Sequence, residues 1–454
     1  MKHASIIGSG LVGSLWAIYL NRAGYRVSLF EKRTDMRSSK ISAGKSINLA
    51  ISYRGWKALD AVGAGDIIRK KSIPMYGRTV HGLNGQNTFH PYGLEGQAIY
   101  SVSRADINKT LMDIAESDGM TEIYFDSQCT GIDLEKNISY FEKNNTGVKF
   151  DIKSDVIFAT DGAFSAVRYN SMQRHDRFNY SQNYIEDGYK EILLPANADG
   201  SFKLDKNSLH IWPRGRFMLI ALPNLDGSFT CTLFMPHEGH KYCFNHLKSV
   251  DDIKQFFMEM FPDFFELMPE IAETWNKHPI SSLAIIRCFP WHINKTVLMG
   301  DAAHATVPFY GQGMNAGFED CTVLNHLMEK HGEDWVACFA EYEKLRKPNG
   351  DAVQDLSLQN YLIMRDKVND PQYILQQQLE KRIHELYPEN YLPLYSMVSF
   401  SDIEYHTALE QGTKQDLEIK NLIKKFGLKP GISQIEMDQF VHEHFHQVLT
   451  THEQ

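Results

Sequence analysis

The sequence has few of the features that mark secreted, metal-stapled or membrane-spanning proteins. Its 454 residues include only six cysteines, which are scattered and form no C-x-x-C pair. We therefore expect neither a disulfide framework nor a structural zinc site. No run of 18 uncharged apolar residues occurs, so no transmembrane helix is predicted. This pattern favours a cytoplasmic protein without a membrane anchor.

Positive charge is also in short supply. Lys and Arg number 47 against 56 Asp and Glu, which gives a formal net charge of −9. This balance disfavours nucleic acid as a partner. The chain has no internal repeat and no low-complexity tract, and 43% of it is hydrophobic. A chain of this length and composition is expected to fold into two or three domains.

The first thirty residues are typical of a β-α-β unit. Residues 4–7 form an apolar run of buried-strand length, and apolar residues at helical spacing follow a glycine turn. Glycines interrupt the apolar run and charged residues follow it, so a signal peptide is not predicted. A second strand, residues 26–30, ends at a glutamate.

A G-x-G-x-x-G pattern lies between the first strand and the first helix. Gly8 permits a tight turn, Gly10 lets the backbone approach a phosphate, and Gly13 allows close helix–sheet packing. Glu31 stands at the end of the second strand, where its carboxylate can bind a ribose diol. The pattern predicts a dinucleotide site. The alternative is a plain β-α turn with Glu31 as a solvated strand end.

Two further motifs point from dinucleotides in general to FAD. Asp161-Gly162 and Gly300-Asp301 each follow a short apolar run of strand length. Each aspartate could instead cap the helix that follows it. In this order and at these separations, the three motifs resemble those of the single-component flavoprotein aromatic hydroxylases. In that family the second aspartate contacts the ribityl chain of FAD.

A glycine-rich segment, residues 308–315, leads into another helix. The N–H groups at such a helix start carry partial positive charge, which would stabilise a reduced flavin. The resemblance places this loop beside the flavin ring, although the same letters could form an ordinary loop. The FAD-binding residues that we predict are Gly8, Gly10, Leu11, Val12, Gly13, Glu31, Lys32, Arg33, Ala50, Arg104, Cys129, Asp161, Asp301, Gly313, Met314 and Asn315.

The resemblance extends beyond the FAD motifs to the kynurenine 3-monooxygenase family. Segments similar to that family are residues 44–50, 75–78, 91–93, 209–213, 221–224, 307–309, 360–361 and 393–398. The resemblance implies a monooxygenase that uses FAD, NADPH and O2 to convert L-kynurenine to 3-hydroxy-L-kynurenine, through a flavin C4a-hydroperoxide. It places the reaction in tryptophan degradation and NAD biosynthesis. No second dinucleotide motif is present, so NADPH would dock without a Rossmann domain of its own.

A site for kynurenine needs a polar end for the amino-acid group and an apolar end for the ring. Arg78 can grip a carboxylate with a bidentate fork, and Tyr92, Asn360 and Tyr395 match further substrate contacts implied by the family. The apolar candidates are Met218, Ile220, Phe234, Pro308 and Phe309. Without the resemblance, the polar residues could be surface or core residues and the apolar ones ordinary core. We predict no catalytic side chain.

The expected fold is α/β: a Rossmann-like FAD-binding domain (PHBH-type) with an inserted antiparallel-sheet substrate domain and a C-terminal helical region. Residues 208–222 and 228–236 are predicted to form an antiparallel hairpin. The predicted division assigns residues 1–70, 97–180 and 285–345 to the FAD domain, 71–96 and 181–284 to the substrate domain, and 346–454 to the helical region.

The end of the chain carries three closely spaced histidines. The spacing of His442, His444 and His446 does not suit one helix face, so we predict a surface helix rather than a metal site. Some members of the resembled family continue into a hydrophobic tail, whereas this end is amphipathic and charged. Two other functions stay open. One is a flavin hydroxylase of another aromatic acid, and the other is a flavin-free binding protein like the GDP-dissociation inhibitors of small GTPases.

Overall fold

The computed structural model describes residues 2–38, 48–367 and 370–445. Most of the segment 44–50 and all of His446 therefore lie outside the described residues. The strands are β1 His3–Ile7, β2 Arg26–Phe30, β3 Asn48–Ile51, β4 Ser72–Met75, β5 Gly77–His81, β6 Asn87–Pro91, β7 Ile99–Ser103, β8 Thr121–Tyr124, β9 Ser127–Asp133, β10 Ile138–Lys143, β11 Lys149–Lys153, β12 Val156–Ala159, β13 Asn179–Leu194, β14 Ser208–Arg214, β15 Phe217–Pro223, β16 Phe229–Pro236, β17 Ile280–Phe289, β18 His292–Ile293 and β19 Thr296–Leu298.

Helices alternate with the early strands and then dominate the C-terminal third. They are α1 Leu11–Arg22, α2 Tyr53–Ala61, α3 Gly65–Arg69, α4 Arg104–Glu116, α5 Ala166–Asn170, α6 Val250–Met260, α7 Pro262–Leu267, α8 Ile271–Thr274, α9 Asp301–His304, α10 Gly313–His331, α11 Trp335–Asp366, α12 Pro371–Leu386, α13 Leu394–Phe400, α14 Tyr405–Phe426 and α15 Gln434–His444. A 3-10 turn, Pro308–Tyr310, precedes α10. No helix of the described residues is both long and apolar enough to cross a membrane.

A six-stranded sheet in the order β18-β19-β12-β1-β2-β8 forms the first layer. Its strands pair in parallel except at the β18 edge. The residues of β12 are all buried, as expected for a parallel strand covered on both faces. The predicted β-α-β unit is confirmed, and both predicted aspartate motifs follow strands of this sheet.

A seven-stranded sheet, ordered β17-β13-β16-β15-β14-β5-β6, forms the second layer. The hairpin that we predicted from residues 208–236 is a three-stranded meander, so the single strand predicted over residues 208–222 is wrong. The chain turns at Gly215, whose φ of 65° is in the left-handed region that glycine adopts without strain. β14 also pairs in parallel with β5, which brings residues 77–91 into this sheet.

Three elements run continuously across the predicted domain borders. β13 extends through residue 181, β17 through residue 285, and α11 through residue 346 with Pro348 inside the helix. Farther on, α12, α14 and α15 share an apolar core of their own. The predicted surface helix carries His442 and His444, and no group of described residues could hold a metal ion.

Candidate active site

The glycine pattern forms an open cradle at the start of α1. A Cβ at Gly8 would lie 2.6 Å from the Thr160 carbonyl oxygen, and one at Gly13 would lie 2.0 Å from the Gly8 carbonyl oxygen. A Cβ at Gly10 would meet no atom within 4 Å in the described part of the chain. The first N–H groups of α1 also receive no side-chain cap. Gly8 and Gly13 therefore serve packing, whereas Gly10 faces the room that a pyrophosphate needs.

Glu31 ends β2 as a buried carboxylate, only 6% exposed. It accepts hydrogen bonds from the backbone N–H and Nε of Arg33 at 3.0 and 2.8 Å, and from the Ser9 hydroxyl at 3.2 Å. Burial raises the pKa of Glu31, but the hydrogen bonds of Arg33 outweigh it and the pKa is lowered. The carboxylate is therefore ionised at neutral pH, as a ribose diol acceptor must be. Lys32 beside it is exposed.

Asp161 follows β12 and Asp301 begins α9, and a buried arginine connects these two segments. Arg168 donates to the carbonyl oxygens of Ala302 and Ala163, each at 2.5 Å. Asp161 Oδ2 accepts from the Val167 N–H at 3.1 Å, whereas its buried Oδ1 has no partner among the described residues. Asp301 is exposed at the first turn of α9. The two motifs thus meet, and an unpartnered carboxylate oxygen is left for a ligand.

Cys129 and Arg104 are two more of the predicted FAD-binding residues. Cys129 on β9 is buried, and burial together with the charge of Asp161 raises its pKa to about 12. A neutral thiol there fits a packing contact. Arg104 is the exposed first residue of α4, directly after Ser103, whose side chain caps that helix.

Asn315 fixes the loop at the start of α10. Its amide nitrogen donates to the carbonyl oxygens of Ala50 and Gly311, both at 3.0 Å, and its Oδ1 accepts from the Ser52 N–H at 3.0 Å. Gly313 and Met314 stay partly exposed in the first turn. The side chain of Asn315 is thus used for positioning, and the backbone of this first turn is what a flavin can reach.

A buried ion-pair network that the sequence did not predict supports the Gly300-Asp301 turn. Asp320 is 0% exposed and accepts from the Gly300 N–H at 2.9 Å, from His304 Nε2 at 2.6 Å and from Arg346 Nε at 2.8 Å. Burial opposes its charge, but His304 and Arg346 lower its pKa to about 2. The signal in the sequence is slight, because an aspartate inside a helix usually faces solvent.

Arg78, on β5, faces tyrosines rather than a carboxylate. It is half-buried, and its side chain has no hydrogen bond or ion pair among the described residues. Burial raises the pKa values of Tyr92, Tyr310 and Tyr395, the last to about 12, while the charge of Arg78 lowers each of them. The rings of Tyr92 and Tyr395 stack at 5.0 Å, and those of Tyr310 and Tyr395 at 5.8 Å. The guanidinium is therefore available to an external carboxylate.

An apolar wall adjoins this polar end. The ring of Phe309 lies 4.8 Å from Phe234, which pairs across the sheet with Met218. Ile220 packs both against the cluster of Phe309 and against that of Tyr92, and so links the two ends. Pro308 is exposed at the start of the 3-10 turn.

Asn360 lies beside this wall, on α11. Its amide nitrogen donates to the Phe309 carbonyl oxygen at 2.6 Å. The structure thus places Asn360 at the apolar wall, whereas Arg78, Tyr92 and Tyr395 lie together at the polar end.

Comparison with known protein families and sequences gives consistent relatives. A family model described as an FAD binding domain matches residues 2–184 and 276–357. The chain is 49% identical over 424 residues to kynurenine 3-monooxygenase of Flavobacterium johnsoniae, covering 92% of this chain and 93% of that protein. It is 42% identical over 432 residues to kynurenine 3-monooxygenase of Sus scrofa, covering 94% and 90%.

Solved structures share the fold at lower identity. A tetrameric form of 2-methyl-3-hydroxypyridine-5-carboxylic acid oxygenase superposes with a TM-score of 0.68 at 20% identity, covering 82% of this chain and 94% of that one. A variant of HpxO from Klebsiella pneumoniae, complexed with FAD, gives a TM-score of 0.65 at 20% identity, covering 83% and 94%. These two likenesses concern the fold alone.

Proposed function

The chain belongs to the kynurenine 3-monooxygenase family, and on that premise we propose that L-kynurenine binds between Arg78 and the aromatic wall around Phe309. The protein is an FAD-dependent, NADPH-consuming monooxygenase that converts L-kynurenine to 3-hydroxy-L-kynurenine. The observation that carries the proposed site is the guanidinium of Arg78, which is half-buried near tyrosines and has no ion pair among the described residues.

The residues at the nucleotide cradle fit FAD. The free space at Gly10 suits a pyrophosphate. The open first turn of α10 suits a flavin ring, and the Oδ1 of Asp161, unpartnered among the described residues, offers the cofactor a hydrogen-bond acceptor. Glu31 would hold the adenosine ribose, and Asp301 the ribityl chain. The chemistry that FAD supplies when bound is acceptance of reducing equivalents from NADPH and transfer of one atom of O2.

The polar end of the site would hold the amino-acid group of the substrate. Arg78 would bind the carboxylate through two parallel N–H donors, with the hydroxyls of Tyr92 and Tyr395 beside it. The amide nitrogen of Asn360 is already bonded to Phe309. Its Oδ1 is therefore the atom free to accept a hydrogen bond from the substrate ammonium group.

The apolar end would hold the aminophenyl ring and exclude water. Phe309, Phe234 and Met218 are buried, so a ring among them is shielded from solvent. The amino group of kynurenine already enriches its ring in electrons, so a strong protein base is not required. The contribution of the protein is the orientation of the ring and the exclusion of water from the transfer.

Replacing Arg78 by alanine tests the proposed site. We expect Arg78→Ala to raise the KM for L-kynurenine by roughly tenfold to a thousandfold, since a charge-assisted pair of about 1.5–3 kcal/mol or somewhat more is lost. Kynurenamine, which lacks the carboxylate, should show nearly the same KM with both proteins. Arg69→Ala, which removes an exposed arginine paired with Asp60, is the matched control. A KM for L-kynurenine that stays unchanged in Arg78→Ala would remove Arg78 from the site.

A further inference from the structure

Asp187 is a buried carboxylate at an irregular point of the seven-stranded sheet. β13 pairs with β17 on both sides of a bulge, with Tyr184 opposite Ala284 but Gly188 opposite Ser282. Bulges re-aim side chains and are common next to active sites. Asp187 lies within this bulge and is only 1% exposed. Its carboxylate is therefore directed into the protein.

The partner of Asp187 is a tyrosine of α11. The hydroxyl of Tyr361 donates a hydrogen bond to Asp187 Oδ2. The other oxygen, Oδ1, has no hydrogen-bond partner among the described residues. Asp187 lines a small cavity together with Arg216 and Arg365. Burial raises the pKa of Asp187, and the hydrogen bond from Tyr361 opposes that rise. A buried carboxylate of this kind is costly unless its hydrogen bond is kept.

Tyr361 also contacts Phe309, which belongs to the apolar wall of the proposed ring site. Its ring centroid lies 4.4 Å from that of Phe309. The adjacent residue, Asn360, holds the main chain of Phe309 through a 2.6 Å hydrogen bond to the carbonyl oxygen. Two consecutive residues of α11 thus contact Phe309: Asn360 through the backbone of Phe309 and Tyr361 through its ring. Phe234 closes a third side at 4.8 Å.

We propose that Asp187 is a positioning residue for the hydroxylation: by holding the hydroxyl of Tyr361, it fixes the ring of Phe309 against which the substrate ring packs. The bulge, the buried carboxylate and the contact between the two rings carry this inference. It rests on the proposed function, because it takes the kynurenine ring to lie at Phe309. Arg78 lies at the other end of the site, so binding of the carboxylate should not depend on Asp187.

The expected consequence of a loosened Phe309 is uncoupling. In the coupled reaction, kynurenine, NADPH, H⁺ and O2 give 3-hydroxykynurenine, NADP⁺ and H2O. In the uncoupled reaction, NADPH, H⁺ and O2 give NADP⁺ and H2O2. If the substrate ring is misplaced, the uncoupled reaction replaces the coupled one, because oxygen transfer depends steeply on geometry.

The test uses Tyr361→Phe, which removes only the hydroxyl, together with Asp187→Ala and Asp187→Asn in the holoenzyme. We expect the first two to lower the 3-hydroxykynurenine formed per NADPH by about threefold to tenfold, with H2O2 rising to match and KM within about twofold of the parent. Asp187→Asn keeps an acceptor for the tyrosine and should restore most of the coupling. The double variant Tyr361→Phe/Asp187→Ala should be no worse than either single variant.

A second readout does not depend on activity. Amide hydrogen exchange of residues 306–312 should be faster in Tyr361→Phe and Asp187→Ala than in the parent, because the turn has lost its anchor. The matched control is Tyr242→Phe, which removes another hydroxyl bonded to a carboxylate, that of Glu259. Coupling and exchange should both be unchanged in that control.

The outcomes separate this inference from the proposed site. Coupling and exchange that remain at the parent level in Tyr361→Phe would overturn the role of Asp187, whether or not Asp187→Ala folds. If Arg78→Ala raises KM while Tyr361→Phe stays coupled, only this inference fails. If Arg78→Ala leaves KM unchanged, the proposed site itself fails.

Discussion

Asn315 of α10 is hydrogen-bonded to Ala50 of β3, although 265 residues separate them. The Asn315 amide nitrogen donates to the Ala50 carbonyl oxygen at 3.0 Å. The same side chain reaches the Gly311 carbonyl oxygen and the Ser52 N–H. One fully buried amide therefore holds a strand, a loop and a helix start in register. Each of them borders the proposed flavin position.

We expect Asn315→Ala to lower the free energy of unfolding by about 2–3 kcal/mol, because it leaves buried main-chain groups without partners. FAD affinity should fall as well, since the open turn of α10 loses its support. Urea unfolding and recovery of flavin fluorescence on dilution measure the two effects. Asn325→Ala on the same helix removes only a bond to Glu329 and should change neither. FAD retention equal to that of the parent would contradict the role of Asn315.

Gly10 and Gly13 should respond differently to the same added methyl group. Gly13→Ala places Cβ 2.0 Å from a backbone oxygen, so the apoprotein itself should lose about 1–3 kcal/mol of stability or more. Gly10→Ala meets no atom of the described residues within 4 Å, so the apoprotein should melt as the parent does. The methyl group would instead occupy the approach to the pyrophosphate and weaken FAD binding.

Thermal unfolding of the FAD-free proteins, followed by titration with FAD, separates the two glycines. The decisive protein is Gly10→Ala, because its fold should be intact. If that variant binds FAD as tightly as the parent, the pyrophosphate does not lie over Gly10.

The parts of the fold that were predicted correctly depend on local patterns. The β-α-β unit and the strands that lead to Asp161 and Asp301 follow from apolar runs that end in glycine and aspartate. The turn at Gly215 was missed, because one glycine between two apolar runs is a weak signal. α11 also continues across the predicted domain border at residue 346, for a different reason. Hydrogen bonds from the Gln354 side chain to the Ile286 and Ala305 carbonyl oxygens hold that helix in place.

The candidate site divides in the same way. Arg78, Tyr92 and Tyr395 were predicted from family resemblance, and their proximity to one another is a result of the fold. Asp320 and Asp187 were not predicted. A carboxylate in a helix or a strand normally faces water, and only the folded chain brings Asp320 to Arg346 or Asp187 to its tyrosine. Buried partners that are distant in sequence leave no local pattern.

Glu380 of α12 is a half-buried acid that should affect the pH dependence of stability. The Tyr391 hydroxyl donates to its Oε1 at 3.1 Å, and the Gln377 amide donates to its Oε2 at 3.0 Å. Burial and the charge of Asp416 raise the pKa of Glu380, the two hydrogen bonds oppose the rise, and the resulting pKa is about 7. The usual value of a glutamate is 4.5.

The sign of the effect follows from these two values. Below pH 4.5 Glu380 is protonated in both the folded and the unfolded chain and contributes no difference. As pH rises from about 4.5 to about 7, the unfolded chain releases the proton while the folded chain keeps it, so the free energy of unfolding falls. Above about 7 both forms are ionised and the loss is constant.

We therefore expect Glu380→Gln, which cannot ionise, to be more stable than the parent at pH 8 by about 2–3 kcal/mol relative to their difference at pH 4.5. Urea unfolding of both proteins at several pH values measures this gap, and other titrating groups cancel because both proteins carry them. Glu389→Gln, at an exposed position, should track the parent at every pH. A gap between Glu380→Gln and the parent that does not widen from pH 4.5 to pH 8 would show that Glu380 is ionised in the folded protein well below neutrality.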